Sequence, residues 1–190
     1  QIDLTDEQKA AFDKLTALSK SGKPAVSLLY GVTGSGKTSV YMSVIDKVLD
    51  DGKNVIVMVP EIGLTPQTIS LFCKRYGGKI AVFHSALSMR ERLDQWKRVR
   101  NGEASIIIGT RSAVFAPVDN IGLIIIDEEQ EHTYKSEQTP RYDAIDVAKY
   151  RASYNKCLLL LASATPSVES YAAAQSGRYE LCTLTKRYGN

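Results

Sequence analysis

Gly31-Val32-Thr33-Gly34-Ser35-Gly36-Lys37-Thr38 has the G-x-x-x-x-G-K-T spacing of a phosphate-binding loop. Glycines let successive backbone N–H groups turn toward a polyphosphate without interference from a Cβ. Lys37 then reaches the β- and γ-phosphates, and the Thr38 hydroxyl is suited to ligate Mg²⁺. A second pair, Asp127-Glu128, ends the apolar run Leu123-Ile124-Ile125-Ile126. In an α/β sheet, ligands sit beyond the carboxyl ends of the strands. There Asp127 would hold Mg²⁺ through its water shell, and Glu128 would polarise an attacking water. Together these residues imply binding and hydrolysis of a nucleoside triphosphate.

Both motifs need strands to present them. Apolar runs occur at 26–30, 55–59, 80–83, 105–108, 123–126 and 158–161. Helical patterns separate them, near 38–50, 66–76, 88–100, 143–153 and 167–176. After the loop, for example, Val40, Tyr41, Val44, Ile45, Val48 and Leu49 repeat at helical spacing. Continuous apolar strands alternating with helices predict an α/β fold with a mainly parallel sheet buried on both faces. A strand feeding a glycine loop that opens a helix aims the helix N-terminus at the anion. Thr5-x-x-Gln8 reads as a capping box for a first helix. Thr65-Pro66 reads as an N-cap followed by a proline at the first helical position, which leaves free N–H groups for an anion such as a DNA phosphate. The segment 130–141 is polar, lacks either period, and is expected to be a long irregular loop.

At 190 residues the chain suits one domain with a sizeable core. Its 44% hydrophobic and 24% charged residues are ordinary globular values. No apolar stretch approaches the roughly 18 residues that span a membrane, and no signal-peptide pattern precedes Thr5, so no membrane partner and a cytoplasmic location are expected. Cys73, Cys157 and Cys182 form no C-x-x-C pair, which disfavours zinc within the chain and a disulfide framework. His84 and His132 have no readable acid or metal partner. A net charge of +3 permits nucleic acid without indicating it. In the run Arg90, Arg92, Lys97, Arg98 and Arg100, interleaved acids predict a solvated helix face, with Leu93, Trp96 and Val99 toward the core.

Asp127-Glu128-Glu129-Gln130 resembles the motif that names the DEAD/DEAH-type helicases of superfamily 2. Pro60-Glu61-Ile62-Gly63-Leu64-Thr65-Pro66-Gln67 resembles helicase motif Ia, and Gly109-Thr110-Arg111-Ser112-Ala113-Val114-Phe115-Ala116-Pro117 resembles motif Ib. Ser163-Ala164-Thr165-Pro166-Ser167 resembles motif III. With Tyr134-Lys135 and Pro140-Arg141-Tyr142, the wording is similar to the PriA family of bacterial primosomal helicases over essentially the whole chain. That family usually has His at the position of Gln130, and R-Y-H-A-R-D where this chain has Arg141-Tyr142-Asp143-Ala144-Ile145-Asp146. The coupling contacts of those residues are where this chain departs from the pattern.

The resemblance implies a RecA-like P-loop domain spanning 1–190, the first motor lobe of a helicase that binds ATP and Mg²⁺. It implies 3′-to-5′ translocation on single-stranded DNA and unwinding at stalled forks, in replication restart. Gln8 would read the adenine edge, as in the helicase Q motif. Thr65, Arg111, Gln130, Tyr134, Lys135, Arg141, Tyr142, Ser163 and Thr165 would contact DNA or couple it to hydrolysis. Aromatics and cations interleaved at 134–142 suit sequence-tolerant stacking of unpaired bases. A second motor lobe, an N-terminal DNA-binding domain and a zinc-binding region are expected outside these residues. So are primosome and single-stranded-DNA-binding protein partners. Without the second lobe's arginine finger, these 190 residues alone are expected to bind nucleotide and turn it over very slowly. Another superfamily 2 translocase and a nucleotide-gated DNA-binding module are the alternative readings.

Overall fold

The structure, a computed structural model, describes residues 2–187. Gln1 and residues 188–190 of the expected lobe lie outside the described residues. Helix α1 (Asp6–Lys20) leads into β1 (Ala25–Gly31), α2 (Lys37–Asp50), β2 (Asn54–Met58), α3 (Pro66–Tyr76) and β3 (Ile80–Phe83). Then follow α4 (Met89–Arg100), β4 (Ile106–Gly109), β5 (Ile121–Asp127), α5 (Ala144–Asn155), β6 (Leu158–Ser163), α6 (Val168–Gln175) and β7 (Glu180–Leu184). The strands form one sheet in the order β3-β4-β2-β5-β6-β1-β7, and every pairing is parallel.

The apolar runs became strands because both faces of the sheet are covered. Ile121–Asp127 and Leu158–Ser163 are buried along almost their whole length, as parallel strands between helical layers must be. One layer packs α1, α2 and α3 through Leu15, Val44, Ile45 and Phe72 against Val55, Val57, Ile125 and Leu160. The other packs α5, with Ala144, Ala148 and Ala152, against Ile124, Ile126 and Leu159. Small residues on that stripe of α5 let the helix approach closely. Among the described residues, no helix is long and apolar enough to cross a membrane.

Local signals set the helix starts. Thr5 and Gln8 close a full capping box on α1, and Ser88 and Glu91 close one on α4. Thr65 Oγ1 accepts from Thr68 N at 3.2 Å, ahead of Pro66. Three expectations are corrected. β7 is an additional strand: it pairs with β1 at the sheet edge, so only part of it is buried. The segment 130–141 is pinned rather than irregular: a 3-10 turn spans His132–Tyr134, Lys135 bridges to Asp143, and Ser136 N donates to Tyr142 O at 2.7 Å. Of the α4 residues expected in the core, Val99 is buried but Leu93 and Trp96 are exposed. The reason is position: α4 packs on edge strand β3, and among the described residues no further strand lies beyond it to cover the helix.

Candidate active site

β1 delivers the chain at Gly31 and α2 takes it up at Lys37. Between them Ser35 N donates to Val32 O at 3.0 Å, closing a tight turn. Gly36 stands at the N-cap of α2 with φ 80° and ψ 31°, a left-handed conformation that costs glycine little. It supplies no side-chain cap, and no acid occupies the first turn, so the first N–H groups of α2 are left for an anion. A Cβ on Gly31 would lie 2.5 Å from Ser35 Oγ and 3.1 Å from Leu184 Cβ, so the floor of the loop tolerates only glycine. Ser35 Oγ is itself buried without a hydrogen-bond partner. Orphaned hydroxyl, glycine floor and uncapped helix N-terminus together fit a polyphosphate. Lys37 Nζ donates to Gly31 O at 2.7 Å, folded across its own loop. Burial lowers the Lys37 pKa, opposed by Glu128 and Asp127. Val32, Thr33 and Gly34 form the exposed crest of the loop.

Asp127 is the last residue of β5. Its Oδ2 accepts from Tyr41 Oη at 3.1 Å and its Oδ1 from Glu128 N at 3.0 Å. Burial and neighbouring Glu128 raise the Asp127 pKa, while Tyr41, the Glu128 N–H and Lys37 pull it down. Burial drives the Tyr41 phenol well up, so it remains a proton donor to this carboxylate. Thr38 opens α2 one turn before Tyr41. With Asp127 it supplies hard oxygen ligands of the kind Mg²⁺ prefers. Glu128 has φ 48°, an uncommon conformation for a residue with a Cβ. Such strain costs about 1–3 kcal/mol and clusters at functional sites.

Behind Glu128 runs a chain of hydrogen bonds. Gln130 Nε2 donates to Glu128 Oε2 at 2.9 Å, Ser163 Oγ donates to Gln130 Oε1 at 2.6 Å, and Thr165 N donates to Ser163 Oγ at 2.9 Å. β6 lies between β5 and β1, with Asp127 level with Ala162 and Tyr30 level with Ser163. The chain therefore links the acid strand to the strand that separates it from the phosphate loop. β7 braces the far side, where Leu184 O accepts from Val32 N at 3.3 Å and Thr185 N donates to Glu7 Oε1 at 2.8 Å.

The remaining residues singled out in the sequence fall in three places. Gln8 is 2% exposed, its Oε1 accepting from Thr5 N at 3.0 Å and its Nε2 donating to Ser35 O at 2.8 Å. The amide thus ties the start of α1 to the phosphate loop. Arg111 Nη1 donates to Thr133 O at 3.1 Å and to Lys135 O at 3.0 Å, and its guanidinium lies 5.7 Å from the Tyr142 ring centroid. It holds the 130–142 segment rather than extending into solvent. Tyr134, expected to offer a face to bases, is only 1% exposed. Its hydroxyl donates to the Asp127 carbonyl, with Met58 O 3.3 Å away, so the phenol is spent tying β2 and β5. Lys135 and Arg141 are exposed, and Tyr142 is half-buried beside Phe115. Thr65 lies apart on α3.

Three contributors escaped the sequence reading. Tyr41 was visible only as part of an apolar stripe, yet a phenol there needs a partner. Glu129 is 2% exposed, and its carboxylate accepts from Ser167 N (2.7 Å), Ser167 Oγ (3.1 Å) and Ser170 Oγ (3.0 Å). Arg151 donates to the carbonyls of Val114, Ala116 and Val118 at 2.8, 2.9 and 3.1 Å. Its signal was an arginine at helical spacing from Ala148 on the buried side of α5.

A parallel sheet carrying a phosphate loop and a metal-suited acid on strands one apart has the architecture of a RecA-like P-loop domain. The model of the DEAD/DEAH box helicase family matches residues 5–174, and the chain belongs to that family. More particularly, it is 51% identical over 186 residues to the replication restart protein PriA of Bacillus subtilis, covering 98% of this chain and 23% of that protein. To PriA of Haemophilus influenzae it is 46% identical over 190 residues, covering 100% of this chain and 26% of that one. The chain spans about a quarter of the length of these curated relatives. Among solved structures it is similar to RecG bound to a three-way DNA junction, with a TM-score of 0.73 at 27% identity, covering 98% of this chain and 24% of that one. The Hef helicase domain of Pyrococcus furiosus shares the fold, with a TM-score of 0.64 at 18% identity over 95% of this chain and 38% of that one.

Proposed function

We propose that this chain is the ATP-binding lobe of a replication-restart helicase that translocates 3′ to 5′ on single-stranded DNA and unwinds DNA at stalled forks. The observation that carries it is the hydrogen-bonded path from Glu128 through Gln130 to Ser163 and Thr165, running beside the phosphate loop. Likeness to PriA proteins supplies the restart context, and likeness to a junction-bound RecG favours branched DNA as substrate.

In this reading the N–H groups of residues 33, 34 and 36–38, which the loop's own hydrogen bonds leave free, bind the triphosphate, and Lys37 leaves its Gly31 carbonyl to meet the terminal phosphates. Thr38 and Asp127 would hold Mg²⁺, which would supply charge neutralisation at the phosphoryl oxygens. Glu128 orients the attacking water and takes its proton. Gln130 holds the Glu128 carboxylate, so a shift at Ser163 or Thr165 on DNA binding reaches the group that activates water. Gln8 acts on the nucleotide by fixing Ser35, and adenine contact falls to its second Nε2 hydrogen. Thr65, Lys135, Arg141 and Tyr142 contact DNA, and Arg111 and Tyr134 set the loop that presents them. A second lobe supplies the opposing wall of the nucleotide site. Zinc, primosome proteins and single-stranded-DNA-binding protein belong to the rest of a cytoplasmic polypeptide.

The test is phosphate release by the full-length polypeptide with and without single-stranded DNA, together with strand displacement on forks bearing only a 3′ or only a 5′ tail. DNA-stimulated hydrolysis with unwinding confined to loading on one polarity is expected. Hydrolysis indifferent to DNA would sink the proposal.

A further inference from the structure

The loop carrying Arg111 ends at Phe115, and between this 3-10 turn (Arg111–Phe115) and α4 lies a groove of about 470 Å³. Phe83, Met89, Leu93, Trp96 and Phe115 line it, with Arg92 at its margin. These apolar side chains are not sheltered: Met89 is 82% exposed, Phe115 55%, Leu93 49% and Trp96 40%. A cluster of exposed apolar residues rimmed by polar ones marks a binding surface more often than isolated exposed residues do.

Charge and continuity indicate what it binds. Among the described residues lining the groove there is no carboxylate. The α4 helix carries five cations, Arg90, Arg92, Lys97, Arg98 and Arg100, against Glu91 and Asp94, and the Glu91 carboxylate is occupied accepting from Ser88 N at 2.8 Å. Arg92 is fixed in place, with Nε donating to Leu87 O at 3.1 Å and Nη2 to Ser85 O at 2.9 Å. Arg100 lies over the Trp96 ring, 5.3 Å from its centroid. At the other end Phe115 meets Tyr142 edge to face, with centroids 4.9 Å apart, and Arg111 lies over Tyr142. Aromatic rings and cations thus stand on both walls of the groove, from Trp96 on one side to Phe115 and Tyr142 on the other. Aromatic faces interleaved with cations are how proteins hold unpaired bases without reading their sequence.

We propose that this groove is a base-stacking subsite for single-stranded DNA, formed by Trp96 and Phe115 and flanked by Arg92. The proposal rests on the DNA-translocase reading above and adds a place where unpaired bases leave solvent, outside every helicase motif except the Phe115 end.

Trp96 is the only tryptophan among the 190 residues, so its emission reports occupancy directly. The experiment titrates the 190-residue chain with a short oligodeoxythymidine, following Trp96 emission and, separately, the anisotropy of the same oligonucleotide carrying a 5′ dye. Emission should fall in step with binding. Phe115→Ala should weaken binding on the order of 10-fold, the stacking of about one base, and remove most of the quench. Tyr154→Ala, which deletes a still more exposed aromatic outside the groove, should change neither. Oligonucleotide binding with Trp96 emission unchanged overturns the subsite and leaves the DNA-translocase reading standing. No binding by anisotropy also overturns the subsite, whereas the translocase reading stands or falls on hydrolysis and strand displacement by the full-length polypeptide. A dimer in sedimentation whose formation alone quenches Trp96 gives the groove to a second copy of the chain and overturns the proposal.

Discussion

The centre of the sheet and its β3 edge expose opposite kinds of chemistry. At the carboxyl ends of β5 and β6, nearly every polar side chain is partnered: Tyr41 with Asp127, Gln130 with Glu128 and Ser163, and Glu129 with Ser167 and Ser170. Beside them, the phosphate loop leaves backbone N–H groups and the buried Ser35 hydroxyl free, and beyond β5 the Thr133 hydroxyl is also unpartnered. At the β3 edge, by contrast, the apolar side chains of the groove lie open beside the cations of α4. A site that must hold charge at fixed positions is built by satisfying everything around it, since an unpaired buried polar group costs about 1–3 kcal/mol. A surface that must accept many different bases is better left unfilled. Pre-organisation and receptiveness are separated within one sheet by the two strands β4 and β2.

Substitutions can test that contrast, beginning where the effect should be largest. Glu128→Gln keeps the hydrogen bond to Gln130 but loses the base, so single-turnover phosphate release in the full-length polypeptide should drop about 10²–10⁴-fold with nucleotide affinity little changed. Ser163→Ala breaks the path in the middle and strands the Gln130 carbonyl. Urea unfolding should show a loss of about 1–3 kcal/mol, and stimulation of hydrolysis by DNA should fall more than the basal rate. Asp127→Asn should act in the other direction on the unliganded chain. Burial and Glu128 raise the folded-state pKa of Asp127 above its unfolded value. Its ionisation therefore costs stability as pH rises from the unfolded pKa through the folded one, and acidification restores it. Removing that charge should raise the melting midpoint at neutral pH, and the gain should shrink in acid. The smallest effect belongs to the edge. Phe115→Ala should change stability by less than about 0.5 kcal/mol, and a loss several times larger would mean the groove is packed rather than open.

Most of the sheet was legible because parallel strands covered on both faces must be apolar throughout, as 123–126 and 158–161 are. The phosphate loop and Asp127 were legible because their spacing is bound to one chemistry. β7 was not, since a short edge strand in which buried Cys182 and Leu184 alternate with exposed Glu180 and Thr183 carries little hydrophobic signal. The α4 face misled for a related reason: helical periodicity shows which residues share a side, but not whether anything lies opposite. Leu93 and Trp96 share the side of Val99, and the sheet ends before reaching them. Burial of single polar groups was equally hidden. Tyr134, Glu129 and Arg151 look like surface residues in sequence, and only the fold brings the carbonyls and hydroxyls that satisfy them.

The bracing of the phosphate loop by β7 bears on where such a lobe can be cut. The family match ends at residue 174, and a gene trimmed to it would retain every helicase motif named above. It would also discard Leu184, which receives Val32 N–H and walls the Gly31 floor, and Thr185, which anchors Glu7 beside Gln8. The boundary that preserves the nucleotide site therefore lies beyond the last recognisable motif, at Thr185 or later.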